Sequence, residues 1–147
     1  MTFKKRAVPV LLATASLALA ALAQNAMAAG SYSSSAVMPV IYNKNFWVSA
    51  EAPVVGRPPS TATITTVLYN YGYSFPRPTG FQILLCDSTG AICHDVTRSA
   101  RGAVSFIGKG VKANTPVRFY ARVGGNGTMP APLAATSLAN VTVDYDG

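Results

Sequence analysis

Apolar and polar positions alternate with a period of two through most of the chain, in short runs cut by Gly, Pro and Asn. That pattern predicts strands, because successive side chains on a strand point to opposite faces of a sheet. In PVRFYARV, Val117, Phe119, Ala121 and Val123 share one face, while Arg118, Tyr120 and Arg122 share the other. The first set is expected in a core. In NVTVDY, Val141, Val143 and Tyr145 lie opposite Thr142 and Asp144. Similar runs are TATITTVLYNYGYSF, GFQILLC, ICHDVT and GAVSFIGKG, separated by PRPTG, DSTGA, SARG, KANTP and GGNGTMPAP. With a leader strand near Asn45 to Ala52, the chain predicts about seven strands. The expected fold is all-β, a single-domain antiparallel β-sandwich with no substantial helix in the mature chain.

The amino terminus follows a different pattern. Lys4, Lys5 and Arg6 precede the uncharged run Ala7 to Ala23, and Ala26-Met27-Ala28 follows. This is the layout of a secretory signal, with cleavage expected before Ala29. The uncharged run contains Pro9 and is shorter than the roughly 20 apolar residues that span a bilayer, so no stable membrane span is expected after cleavage. Removing residues 1–28 from the 147-residue chain leaves 119, enough for one domain with a real core. Residues 29–60 read as a Ser-rich leader ending in the turn GRPPS, and residues 61–147 as the main body of the same domain.

Cleavage also changes the charge. Three of the twelve basic residues and none of the five acidic ones lie in the signal, so the formal charge falls from +7 to +4. The remaining cations are scattered and the protein is expected outside the cytosol, which excludes nucleic acid as a partner. Acidic protein surfaces and anionic lipid headgroups fit better.

Both cysteines and the single histidine fall in CDSTGAICHDV. Free thiolates here would make a Cys-His nucleophile or a metal site with His94 and Asp95. An oxidising compartment favours a disulfide instead. A hairpin closed through Thr89-Gly90 or through Ser88 to Ala91 places Cys86 opposite Cys93 in either case, within bridging distance. The same register puts Phe81, Ile83, Leu85, Ile92, His94 and Val96 on the core face. It puts Gln82, Leu84, Cys86, Cys93, Asp95 and Thr97 outside, so the bridge is an outward staple and His94 a core-edge residue. Tyr69, Tyr71 and Tyr73 also share one face, expected inward with hydroxyls bonded at the rim of the core, since Asn70, Gly72 and Ser74 suit the solvated side. The other reading of that row is a sugar-stacking platform.

The order of these motifs resembles the flagellar protein FlhE family. The resemblance runs from about Thr61 to Tyr145, with the leader matching only loosely through Tyr32, and is carried by Pro76, Pro78, Gly80, Cys86 and Cys93, then PVRFYARV, then Gly125, Gly127, Pro130, Pro132 and Leu133, then NVTVDY. The Tyr-rich strand and the Asp146-Gly147 tail depart from the family pattern. The resemblance implies a periplasmic β-sandwich without enzymatic activity or cofactor. It implies an accessory role in flagellar assembly or export, as a chaperone-like factor or one that limits leakage through the export apparatus. The partner implied is a flagellar export, rod or filament protein, and a homodimer is compatible with it.

The residues agree with an absence of catalysis. Glu51 is the single glutamate, two of the four aspartates sit at the carboxy terminus, and no phosphate loop, HExxH or GxSxG is present. Two surfaces are candidates for a partner. One is the outward stripe Arg118, Tyr120 and Arg122, with Lys109 and Lys112 in neighbouring turns. The other is the segment Gly125, Gly127, Met129, Pro130, Pro132 and Leu133, expected as an irregular loop in which Met129 and Leu133 present apolar anchors. Two other functions fit the sequence: a surface-fibre subunit that pairs by adding its alternating terminal strand, and a carbohydrate-binding module built on the tyrosine row.

Overall fold

The computed structural model describes residues 29–147, so the expected signal over residues 1–28 lies outside the described residues. Ten strands and no helix make up the described chain. They are β1 (Gly30–Ala36), β2 (Ile41–Asn43), β3 (Val48–Ala52), β4 (Thr63–Asn70), β5 (Phe81–Cys86), β6 (Cys93–Asp95), β7 (Arg101–Ser105), β8 (Val117–Val123), β9 (Thr128–Leu133) and β10 (Ala139–Asp146). A first sheet has the order β1-β10-β4-β7, a second the order β3-β8-β5-β6, and β2 and β9 form a two-stranded ribbon. All pairings are antiparallel. The all-β sandwich class holds, with three strands beyond the seven expected.

The three extra strands have physical reasons for escaping a reading by alternation. In β1, serines occupy most positions and only Tyr32 and Ala36 are buried apolar side chains. The strand forms because all seven of its residues find partners along β10, from Gly30 opposite Tyr145 to Ala36 opposite Ala139. In β9, Pro130 and Pro132 have no N–H to donate, which restricts the strand to a two-stranded ribbon where one edge stays free. Its inward residues are Met129 and Leu133, both buried. The third, β2, is three residues long and pairs with β9 at Ile41 and Asn43.

The leader strand also begins later than expected. Asn45 has a left-handed backbone, φ 65°, so residues 44–47 turn and β3 starts at Val48. Asparagine tolerates this region better than other side chains with a Cβ. Lys44 N–H donates to Gly127 O at 3.0 Å and Asn45 N–H to Val123 O at 2.8 Å, which clamps the turn to the end of β8.

The core lies between the two sheets. From the second sheet come Ile83, Leu85, Val117, Phe119, Ala121 and Val123, all fully buried. The first sheet contributes Ile64, Val67, Val141 and Val143. Ile64 and Val67 are an odd number of residues apart, yet both face inward. A register shift opposite Asp144 and Tyr145 inserts one residue and flips the alternation, as a bulge does. The terminal strand β10 sits between β1 and β4 and is paired on both edges, so it is already occupied within its own sheet. That removes the basis for a donated strand.

The tyrosine row is internal. Tyr69, Tyr71 and Tyr73 are buried, and their hydroxyls donate to Ser99 O at 3.0 Å, Val96 O at 2.6 Å and Pro39 O at 3.1 Å. A buried aromatic ring with its one polar atom bonded stabilises a core edge, and it leaves no face for a sugar to stack on. Burial pushes the Tyr73 hydroxyl up to about 12 from 10.0. A folded-state pKa above the unfolded value means full stabilisation below the unfolded value and loss as pH rises through the folded one. Urea unfolding should therefore show stability falling between pH 10.0 and about 12, with a shallower fall in Tyr73→Phe. An identical slope in both proteins would rule this source out. Tyr32 and Tyr71 are shifted up by burial as well, so each should contribute to the slope that remains.

Candidate functional site

The outer face of the second sheet carries most of the expected surface residues. On β8, Arg118, Tyr120 and Arg122 alternate with the buried Val117, Phe119 and Ala121, so the stripe forms as the sequence pattern expects. The stripe is not a row of free cations, however. Arg118 Nη2 donates to Glu51 Oε1 at 3.1 Å from the neighbouring β3. Such a partly exposed pair is worth under about 1 kcal/mol, so it orients Arg118 more than it stabilises the fold. Arg122 Nε donates to Gln82 Oε1 at 3.4 Å, and its guanidinium carbon lies 4.8 Å from the centroid of the Trp47 ring. Lys112 is bridged to Thr63 of β4 in the first sheet, so it does not extend the stripe.

Beside the stripe lies the cysteine hairpin. Leu84 pairs with Asp95, Leu85 with His94 and Cys86 with Cys93, as the hairpin register requires. Cys86 and Cys93 form a disulfide with Cα atoms 4.1 Å apart, which fixes the thiols in a bridge and removes the nucleophile and metal readings. The loop is the four-residue form, since Asp87 N–H donates to Ile92 O at 3.0 Å across Ser88 to Ala91. Gly90 is left-handed there, φ 76°, and an added Cβ would meet the Tyr120 hydroxyl at 3.1 Å. The bridge faces outward as expected, yet Cys86 is fully buried and Cys93 exposed. A groove of about 420 Å³ runs over the bridge between Trp47, Tyr120 and Leu84.

His94 is a structural link. Its Nε2 lies 2.8 Å from Ser105 O, and its ring meets Phe106 edge-on at 5.1 Å. It thus ties β6, the edge of one sheet, to β7, the edge of the other. Asp87 organises the turn. Burial alone would raise its carboxyl, but the Thr89 hydroxyl at 2.7 Å and backbone N–H groups of Ile92, Ala91 and Gly90 hold it below its ordinary value. The Thr97 hydroxyl and backbone N–H do the same for Asp95, the latter donating at 3.0 Å. Both carboxylates are committed to turns. Among the described residues no group of three His, Cys, Asp or Glu side chains is placed to hold a metal ion.

The second candidate segment divides. Gly125 and Gly127 are exposed in the turn after β8, both left-handed, with φ 112° and 88°. Gly125 lies against the Lys44 side chain, whose Cδ would be 3.3 Å from an added Cβ. Pro130 and Pro132 are exposed on β9. Met129 and Leu133 are corrected: they are core residues, because β9 is a strand whose alternation turns them inward. They offer no apolar anchors.

The exposed apolar groups come instead from the β2–β3 turn. Tyr42, Phe46 and Trp47 are all exposed around Lys44 and Asn45. Treating residues 45–52 as one strand hid Phe46 and Trp47. The signal that would have found them is Asn43-Lys44-Asn45, a polar run of turn formers next to aromatics that cannot all alternate inward. Arg77, in the β4–β5 loop, adds a cation set among rings, 4.4 Å from the centroid of Phe75 and 5.4 Å from that of Phe81. Its Nε is buried without a hydrogen-bond partner.

These features define a disulfide-stapled antiparallel β-sandwich whose distinguishing surfaces are an aromatic and cationic sheet face and the loops beside it. A family model described as "Flagellar protein FlhE" matches residues 30–146, and the chain belongs to that family. A curated relative from Escherichia coli (strain K12), "Flagellar protein FlhE", is 30% identical over 84 residues, which is 57% of this chain. The match spans 62% of that relative, less than two thirds of its length. A solved structure titled "Crystal Structure of FLHE" superimposes with a TM-score of 0.66 at 22% identity, covering 81% of this chain and 98% of its own. It supports the all-β fold. The family resemblance read from the ordered motifs is thereby borne out, and it extends further toward the amino terminus than Thr61.

Proposed function

We propose that the protein is a non-enzymatic flagellar accessory that works in the periplasm, binding an exported flagellar component as a chaperone-like factor or limiting leakage through the export apparatus. The observation that carries this reading is the family match over residues 30–146. Three features support it. The residues that could have supported hydrolysis or metal chemistry are committed to a disulfide, to turns and to an inter-sheet hydrogen bond. The disulfide suits an oxidising compartment. The groove between Trp47 and Tyr120, flanked by Arg118 and Arg122, has the aromatic and arginine composition that recurs at the centres of protein interfaces.

Deletion of the gene in a flagellated host, with swimming, filament location and cytoplasmic pH as readouts, tests the role. Defects in one or more of these are expected, restored by the wild-type chain and restored poorly by Tyr120→Ala with Arg122→Ala. Unchanged motility, filament placement and pH in the deletion strain would sink the proposal. Full rescue by the double variant would move the binding surface away from this face while leaving the role intact.

A further inference from the structure

The sheet register sorts every charge of the described chain to one end of the sandwich or the other. At one end lie the turn 44–47, the loops 71–80, 96–100 and 134–138, and the turn 124–127. Backbone bonds join them: Gly124 N–H to Gly80 O, Asn45 N–H to Val123 O, Tyr71 N–H to Ala100 O and Thr136 N–H to Gly72 O. This end holds the cations Lys44, Arg77, Arg98, Arg101 and Arg122 and the single acid Asp95. The opposite end holds Arg57, Lys109, Lys112 and Arg118 against Glu51, Asp87, Asp144 and Asp146. Four cations balance four acids there. The net charge of the described chain therefore sits wholly at the first end, five cations against one acid.

Apolar exposure follows the same division. Nine large apolar side chains of the described chain are exposed, and six of them, Val37, Tyr42, Phe46, Trp47, Phe75 and Leu138, belong to this end, between 44% and 79% exposed. They come from separate segments, before β2, in β2, in the β2–β3 turn, in the β4–β5 loop and before β10. Cations and rings alternate among them: Arg122 lies over Trp47 and Arg77 over Phe75. Two open cavities at the same end each present a pair of cations, one of about 740 Å³ with Arg98 and Arg122, the other of about 530 Å³ with Lys44 and Arg77.

We propose that this end of the sandwich docks onto an anionic lipid bilayer, its apolar loop tips entering the headgroup layer and its cations meeting lipid phosphates. Aromatic side chains beside Lys and Arg suit the membrane interface, because a ring accepts the apolar side while the charged head stays with phosphate and water. A plane accommodates apolar tips from several separate loops at once, whereas an extended acidic peptide needs one continuous groove or strand edge. Charge complementarity is confined to this end, which sets the orientation of the molecule on the surface. Docking needs no flagellar component, so the inference stands or falls separately from the flagellar role.

The purified mature protein supplies its own probe, because Trp47, its single tryptophan, lies in the surface concerned. It should sediment with vesicles of phosphatidylglycerol and phosphatidylethanolamine and not with phosphatidylcholine vesicles, with a blue shift of tryptophan emission. Added salt should weaken binding, since charges at this exposed surface are screened over about 8 Å at 0.15 M. Lys44→Gln with Arg98→Gln and Arg101→Gln should lower the partition about a hundredfold, as expected for three cations near an anionic surface. Phe46→Ser with Phe75→Ser, both at largely exposed positions, should abolish the blue shift. Lys109→Gln with Lys112→Gln, at the balanced end, should change neither. Circular dichroism confirms that each variant folds, and the salt series on the wild-type protein needs no variant. No binding to anionic vesicles, equal loss in the variant of the balanced end, or binding to polyglutamate with no vesicle binding would each overturn the proposal, the last in favour of an acidic protein partner.

Discussion

Phe119→Ala should lower the unfolding free energy by about 3–5 kcal/mol, the largest loss from any single truncation on the second sheet. Phe119 sits in the middle of β8, fully buried, with Ala50 of β3 and Leu85 of β5 as its cross-strand neighbours. Truncation removes the ring contacts and leaves a void that the neighbours fill poorly. Ala50 has no side chain to spare, and β8 is held by hydrogen bonds on both edges and cannot shift inward. The cavity therefore persists, which is the condition for the upper part of the cost range. Domains of this size have about 5–15 kcal/mol in total, so the variant should be close to unfolding at body temperature. Urea titration measures the change directly. Leu68→Ala is the control: Leu68 faces outward on β4 and is exposed, so its removal should cost little. Equal losses at Phe119 and Leu68 would mean that the core is not between the two sheets.

The faces of these strands were legible because period-two alternation is strongest where one side of a sheet is buried and the other wet. For β8 and β10 the sequence states the core residues outright, and the same holds for the hairpin register that pairs Cys86 with Cys93. Alternation fails where tertiary pairing supplies what composition lacks. Strand β1 is mostly serine and forms because β10 is a well-defined template beside it. Strand β9 carries two prolines and forms because it needs only one paired edge. Both failures bear on the candidate surface. Reading residues 125–133 as loop made Met129 and Leu133 look available, and reading residues 45–52 as strand concealed Phe46 and Trp47. Charge asymmetry was illegible for a different reason. The cations Lys44, Arg77, Arg98, Arg101 and Arg122 are far apart in sequence and meet only because five connections fall at the same end of the sheets.

The staple gives the second large expected loss. Cys86→Ala with Cys93→Ala should cost about 2.5 kcal/mol, the value for releasing an eight-residue loop in the chain-entropy model. Two features of the hairpin modify that figure. Asp87 holds the turn independently, accepting from Thr89 Oγ1 at 2.7 Å and from Ile92 N–H at 3.1 Å, so the loop should stay closed once the protein is folded. Cys86 is fully buried while Cys93 is exposed, so the two positions respond differently to a hydroxyl. Serine at position 86 adds a polar group that needs a partner in a dry site, a further cost of about 1–3 kcal/mol. Cys86→Ser with Cys93→Ala should therefore be less stable than the double alanine variant, whereas Cys86→Ala with Cys93→Ser should match it. Denaturation midpoints of the three variants under oxidising conditions separate the cross-link from the burial term. Flagellar complementation at permissive temperature should be retained by the double alanine variant, because Trp47 is held by the β2–β3 turn clamped to the end of β8, and Tyr120 and Arg122 by β8 itself, rather than by the bridge. Loss of function in a variant that remains folded would restore a direct role for the thiols.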